Sequence, residues 1–326
     1  MRLGLKWGFL ICLDICLLID LVALWIDNDR RGEEALASEM ADEVPPVVEL
    51  IGGELITLAV GDALVEPGWV AYDDRTIPEV MVESAVNAQK PGEYRINYHA
   101  VDEAGNATDA TREVKVIQPA GKVYLTFDDG PSEYTNTLLD TLKKYNVSAT
   151  FFVTGYGDDE VIRREYDDGH AVGVHTFSHV YANIYANKEN FYADLDAVKK
   201  RVADITGTQA NLMRFPGGSS NVVSRLYDNG QRIMSDLVHG VEERGMVYFD
   251  WNVDSGDAGQ ASTAEAVCNN VVGALGAGGN LVVLQHDTKP YSVEAVECII
   301  QYGLEHGFVF KSLDANSYTA HHGVNN

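Results

Sequence analysis

The stretch GKVYLTFDDG, residues 121–130, decides how this chain is read. Positions 123–127 are almost wholly apolar, with no alternation of polar and apolar sides. That marks a strand buried on both faces of a sheet. The strand runs without a spacer into Asp128, Asp129 and Gly130. The same form recurs downstream. Apolar runs at 149–153, 171–175, 211–215, 247–253, 281–284 and 308–311 alternate with amphipathic stretches near 134–145, 158–167, 187–205, 229–244, 263–276 and 292–305. Ser262 with Glu265 predicts a capping box on the fifth of these helices. Repeated strand–helix units with doubly buried strands predict a parallel sheet, open or closed. Seven units in roughly 190 residues fit a distorted (β/α)7-type barrel, smaller than the eight-stranded kind.

Barrels of this kind collect reactive groups at the C-terminal ends of their strands, and the polar residues of this chain fall there. The first strand ends in Asp128-Asp129-Gly130, the third in His175-Thr-Phe-Ser-His179, and the fourth in Arg214-Phe-Pro-Gly217-Gly218. The fifth ends in Trp251-Asn-Val-Asp254-Ser-Gly-Asp257 and the sixth in Leu284-Gln-His286-Asp287. Each group alone has a plain structural explanation: a turn, a pair of surface histidines, a structural Arg-x-Pro, a satisfied semi-buried histidine. Their convergence on one rim changes the weight, because charged groups ending apolar strands are costly unless they pair or bind something. Two imidazoles and a carboxylate offer three metal ligands and leave room for water or substrate, as a hydrolytic site requires.

This ordered set resembles the polysaccharide deacetylases with the NodB homology domain, carbohydrate esterase family 4. The likeness covers about 119–315 and extends through Gly130-Pro131-Ser132, Tyr134-Thr135, Leu138-Leu139-Asp140 and Ala149-Thr150-Phe151-Phe152-Val153. Within the family, the wording around Arg214 and Asp254 is most similar to peptidoglycan N-acetylglucosamine deacetylases of Gram-positive bacteria. The resemblance implies a metal held by Asp129, His175 and His179, zinc first, with Co, Mn or Ni as alternatives. It implies Asp128 as general base, His286 as general acid, Arg214 orienting Asp128, and the Gly217 amide facing the oxyanion. Trp251 and Leu284 would wall the acetyl methyl. Either Asp257 or Asp254 would serve His286, since the fourth motif departs from the family's usual Asp-Trp ending. Gly217 stands where many members carry an aromatic residue. His170, His239 and His306 are expected to be structural or surface residues, and His321 and His322, in a polar tail at 317–326, to have no role.

Upstream the rhythm differs. Residues 46–118 are short runs broken by Gly52-Gly53, Gly61-Asp62, Pro67-Gly68, Pro91-Gly92 and Gly105-Asn106, the pattern of a small antiparallel sandwich. Val60-Gly61-Asp62, Lys90-Pro-Gly-Glu-Tyr94 and Asp102-Glu-Ala-Gly-Asn106 make this stretch resemble bacterial immunoglobulin-like domains, which implies a spacer or adhesion module. Residues 28–45 read as an exposed linker. Residues 1–27 carry an apolar run that suits a single membrane span or an export signal. Asp14 and Asp20 within it oppose insertion by roughly 2.5–3.5 kcal/mol each. The expected location is the cell membrane with the catalytic domain outside, or secretion if the segment is cleaved. An exported chain permits a Cys268–Cys298 disulfide, with two buried thiols equally open.

The chain has 326 residues, 46% hydrophobic, with a formal net charge of −25. That charge excludes a nucleic-acid partner, since phosphate binding needs clustered Lys and Arg. The leading expectation is a metal-dependent N-deacetylase of cell-wall glycan. Alternatives are deacetylation of chitin oligosaccharide, poly-N-acetylglucosamine or acetylxylan, or a glycan-binding surface protein without catalysis.

Overall fold

The computed structural model describes residues 29–31 and 42–325. The expected membrane segment, 1–27, and most of the linker lie outside these residues. Among the described residues no helix is long and apolar enough to cross a membrane.

The first part is all β: β1 (Val47–Leu50), β2 (Leu55–Ala59), β3 (Trp69–Tyr72), β4 (Glu79–Ser84), β5 (Gly92–Val101) and β6 (Ala107–Ile117). One sheet has the order β2-β6-β5-β4, and β1 pairs with β3. Period-2 alternation builds it: Ile96, Tyr98 and Ala100 on β5 and Arg112, Val114 and Val116 on β6 are buried, while residues between them face out. By contact density the described residues form two compact units. One holds 69–83, 97–110 and the residues up to 49; the other holds 50–68, 84–96 and everything from 111 on.

The second unit contains the parallel sheet. Its strands are β7 (Gly121–Asp128), β8 (Thr150–Val153), β9 (Ala171–Val174), β10 (Leu212–Met213), β11 (Val247–Tyr248), β12 (Val253–Asp254), β13 (Gly279–His286) and β14 (Phe308–Phe310). The order is β11-β10-β9-β8-β7-β13-β12, with β14 pairing the start of β7. This is a curled α/β half-barrel, in keeping with the distorted barrel expected, with eight strands where seven were read. The predicted single strand 247–253 is the reason. Its first part pairs with β10 and its last with β13. Between them Phe249 N–H donates to Met213 O and Asn252 N–H to Val282 O, so the chain walks from one end of the sheet to the other.

Among the described residues seven α-helices of four or more residues accompany the strands: α1 (Thr135–Lys144), α2 (Asp159–Asp167), α3 (Tyr181–Ile184), α4 (Lys188–Thr206), α5 (Ile233–Glu243), α6 (Ala264–Leu275) and α7 (Pro290–Glu305). The cap of α6 is Thr263, extended and accepting from Ala266 N–H, not the expected Ser262. The frame shifts by one because Thr263 is the residue with the non-helical backbone a cap requires. Cys268 on α6 and Cys298 on α7 are joined as a disulfide, with Cα atoms 6.2 Å apart.

β7 divides the core in two. Val123, Leu125 and Phe127 face the helix layer and its large apolar cluster. Tyr124 faces inward with Phe152, Leu212, Phe249 and Val282, joined there by Leu313 and Ala320 from the C-terminal segment. Thr126 and Asp128 continue the inward side by strand alternation. His170 is structural, as expected: its Nδ1 accepts from Ala149 N–H, and its ring meets Phe151 edge-on.

Burial lowers the His170 pKa to about 4. The unfolded chain therefore takes a proton between about pH 6.5 and 4 that the folded chain refuses. Stability is full above that window and falls as pH drops through it, by up to ~3 kcal/mol. His170→Asn keeps an acceptor for Ala149 N–H and cannot titrate. Thermal melts at pH 7 and pH 4.5 should show a smaller acid-induced loss in the variant than in the wild type.

Candidate active site

Register creates the site. β13 lies beside β7 with His286 opposite Asp128, so an imidazole and a carboxylate end adjacent parallel strands at the same height. Arg214, following β10, supplies the third group. It is fully buried, and its Nη1 donates to Asp128 Oδ1 at 2.8 Å and Thr126 Oγ1 at 2.7 Å. Nε and Nη2 donate to the carbonyls of Phe249 and Asp250, both at 3.0 Å. The guanidinium lies 4.5 Å from the Phe152 ring centroid and 5.7 Å from that of Trp251.

Asp129 has φ 73°, so consecutive carboxylates turn apart: Asp128 stays with Arg214 and Asp129 swings toward the histidines. Thr176 (φ 65°) and His179 (φ 50°) take the same left-handed conformation. This turn is anchored by Asp194 on α4, whose Oδ1 accepts from the backbone N–H of Phe177 and Ser178. His175 Nδ1 donates to Arg214 O at 2.8 Å, which fixes the tautomer and leaves Nε2 with its lone pair. That Nε2 lies 3.7 Å from Asp129 Oδ1 and His179 Nε2 lies 3.4 Å from it. Burial lowers the His175 pKa despite the nearby carboxylates, which favours the neutral form a metal needs. Asp129 Oδ1 is itself buried and lacks a hydrogen-bond partner. One oxygen and two imidazole nitrogens within 4.8 Å of each other fit a divalent cation.

On the other side His286 Nδ1 donates to Asp257 Oδ1 at 2.8 Å, and its backbone N–H donates to Asp257 Oδ2 at 2.6 Å. The carboxylate that reaches His286 is therefore Asp257. Asp254 instead accepts from Gly256 N–H in its own turn. Burial opposes charge on His286, but the bond to Asp257 and the carboxylates of Asp128 and Asp129 outweigh it and raise its pKa to about 9. Its Nε2 sits 4.0 Å from Asp129 Oδ2.

Gly217 and Gly218 have φ of 78° and 80°, and a Cβ on Gly217 would lie 3.1 Å from the Tyr181 hydroxyl. Glycine at 217 is thus a backbone requirement in this chain. Trp251 closes over Gly218, where a Cβ would be 3.0 Å from the indole. Leu284 is buried two residues before His286, on the same strand face.

Several contributors escaped the sequence reading. Thr126 looked like an ordinary strand residue; it relays Arg214 to the Val283 carbonyl. Asp250 lay inside what read as one strand. Asp287 was visible beside His286 but had no evident function. Its carboxyl takes the Thr135 hydroxyl and fills the space a Cβ on Gly130 would need, so it locks the loop after β7. Burial, with Asp129 nearby, pushes the Asp287 pKa up to about 7.

The signature of the family described as polysaccharide deacetylase matches residues 115–231, and that of the bacterial surface protein Ig-like domain matches 48–116. The chain is 33% identical over 207 residues to a peptidoglycan-N-acetylglucosamine deacetylase of Bacillus cereus, covering 60% of this chain and 70% of that protein. Against the Listeria monocytogenes peptidoglycan-N-acetylglucosamine deacetylase PgdA identity is 31%, covering 62% of this chain and 40% of the relative. Among solved structures, the catalytic domain of a peptidoglycan N-acetylglucosamine deacetylase from Eubacterium rectale superposes with a TM-score of 0.61 at 47% identity, over 63% of this chain and 94% of that one. A polysaccharide deacetylase from Bacillus cereus gives 0.53 at 32% identity, over 61% and 94%.

Arg214→Met leaves Asp128 buried without its partner, and chemical denaturation should show a loss of about 3–5 kcal/mol. Adding Asp128→Asn removes the stranded charge. The double variant should be more stable than Arg214→Met alone.

Proposed function

The chain belongs to the polysaccharide deacetylase family, and on that premise we propose that it hydrolyses N-acetyl groups from N-acetylglucosamine in cell-wall peptidoglycan. The observation that carries this reading is a facing pair across one ligand set. Asp128, held by Arg214, and His286, held by Asp257, flank Asp129, His175 and His179. The names of the relatives support the substrate class.

In this reading Asp129, His175 and His179 hold a divalent cation, zinc first and Co, Mn or Ni as alternatives. Such an ion polarises the acetyl carbonyl and lowers the pKa of water. The residues around it divide the proton work. Asp128 Oδ1 is occupied by Arg214, so Oδ2, 3.7 Å from His175 Nε2, is the oxygen that takes the proton of the attacking water. The water oxygen bonds to the carbonyl carbon, and the Gly217 N–H donates to the oxygen that gains charge. As the C–N bond breaks, His286 Nε2 delivers its proton to the sugar nitrogen. Acetate and a free amine leave. Asp257 keeps His286 charged for that transfer. Trp251 and Leu284 wall the methyl group.

The remaining assignments belong to the same proposal. Residues 1–27 anchor the chain in the cell membrane, or direct its secretion if cleaved. Residues 28–45 are a linker, 46–118 an immunoglobulin-like spacer or adhesion module, and 119–316 the catalytic domain outside the cell.

Purified protein loaded with zinc should release acetate from peptidoglycan, and a chelator should abolish the release. No acetate from any N-acetylated glycan would sink the enzyme reading. Asp128→Asn should lower kcat by about 10²–10⁴; unchanged turnover would remove Asp128 as base. In Asp257→Asn, His286 loses the carboxylate that raises its pKa, so its protonated form disappears at lower pH. The alkaline limb of the kcat/KM profile should move down.

A further inference from the structure

The tail expected to have no role is tied to the site. Its entry is fixed where Leu313 N–H donates to Thr150 Oγ1 at 2.8 Å, and Leu313 and Ala320 are buried in the inner core. Beyond Ala320 the contacts divide by residue. His321 stacks on Tyr248 of the end strand β11, with centroids 3.8 Å apart and planes at 5°, and its Nε2 donates to Tyr248 O. His322 turns the other way. Its backbone N–H donates to Asp250 Oδ2 at 2.8 Å, and its Nε2 donates to Trp251 O at 2.6 Å. Its ring meets the Trp251 indole edge-on at 4.8 Å. With the proton on Nε2, Nδ1 accepts from Ser220 Oγ at 3.3 Å. Asn325 Nδ2 adds a bond to Ser220 O.

These contacts converge on the walls of the site. The fully buried Asp250 carboxylate also accepts from Ser219 N–H and Ser219 Oγ, so it joins the glycine loop to the tail. Trp251 packs over Gly218 and near the Arg214 guanidinium. His322 thus bridges the loop 216–221 and the indole, two elements that touch each other but come from different strand ends.

We propose that residues 313–325 form a strap that clamps the loop 216–221 and Trp251 around the substrate's acetyl group, with His322 as a positioning residue. Its effect on catalysis rests on the deacetylase reading; the clamp itself does not. His322 touches no reacting atom. It acts by holding the loop whose backbone faces the acetyl oxygen and the ring that faces the methyl.

The full chain can be tested as His322→Ala, His321→Ala and His322→Gln, reading acetate release as kcat and KM together with amide hydrogen exchange. In His322→Ala, exchange across 216–221 and 250–252 should rise, and kcat should fall by about tenfold, within what a misplaced wall can cost. His322→Gln keeps a donor for Trp251 O and should recover most of both. His321→Ala should lower Tm while leaving kcat and the exchange of 216–221 unchanged. Unaltered exchange in His322→Ala would overturn the clamp whether or not the wild type releases acetate. Raised exchange with unchanged kcat, in an active wild type, would overturn the positioning role. A wild type that releases no acetate would instead refute the deacetylase reading, with exchange still deciding the clamp.

Discussion

The centre of the site depends on one buried cation. Withdrawing the Arg214 guanidinium from water opposes folding by several kcal/mol unless its donors are met. They are met by Asp128, Thr126 and the carbonyls of Phe249 and Asp250, while Phe152 and Trp251 lie near the guanidinium. Its own carbonyl receives His175 Nδ1. A single residue therefore sets the free oxygen of Asp128, the tautomer of His175 and the path of the chain from β11 to β12. The sheet cannot close as a regular barrel at that point, because the crossing backbone gives its carbonyls to Arg214 rather than to a neighbouring strand.

What the sequence made legible follows from burial. Strands covered on both faces leave continuous apolar runs, so β7, β8 and β13 could be read to within a residue or two. The polar residues of the candidate site were legible because they interrupt such runs at one end. The split of 247–253 was not: Val247–Tyr248 and Val253–Asp254 span two residues each, too few to express a period. The choice between Asp254 and Asp257 was equally closed to the sequence. It turns on a bend at Gly256, φ 77°, that points one carboxylate back into its own turn and sends the other to His286. The tail misled because its polarity suggested solvent. Polar residues can equally satisfy the exposed carbonyls of an end strand, as His321 does on Tyr248.

The strained backbone at the site raises a last question of balance. Asp129, Thr176 and His179 each hold a left-handed conformation that opposes folding by roughly 1–3 kcal/mol. Such strain survives only where the surroundings over-determine it. A continuous aromatic column does so at His179. His179 faces Tyr181 at 5.4 Å, Tyr181 stacks on Tyr185 at 5.7 Å, and the series continues through Phe191, Phe215 and Tyr248 to His321. Tyr185, fully buried, donates its hydroxyl to Pro216 O, just before the glycine loop. Aromatic pairs contribute about 0.5–1.5 kcal/mol each beyond their burial, so the column is of the size needed to offset the strain at His179. It starts at His179 and runs to Tyr248 of β11, and the His321 ring stacked on Tyr248 adds stability without positioning the site.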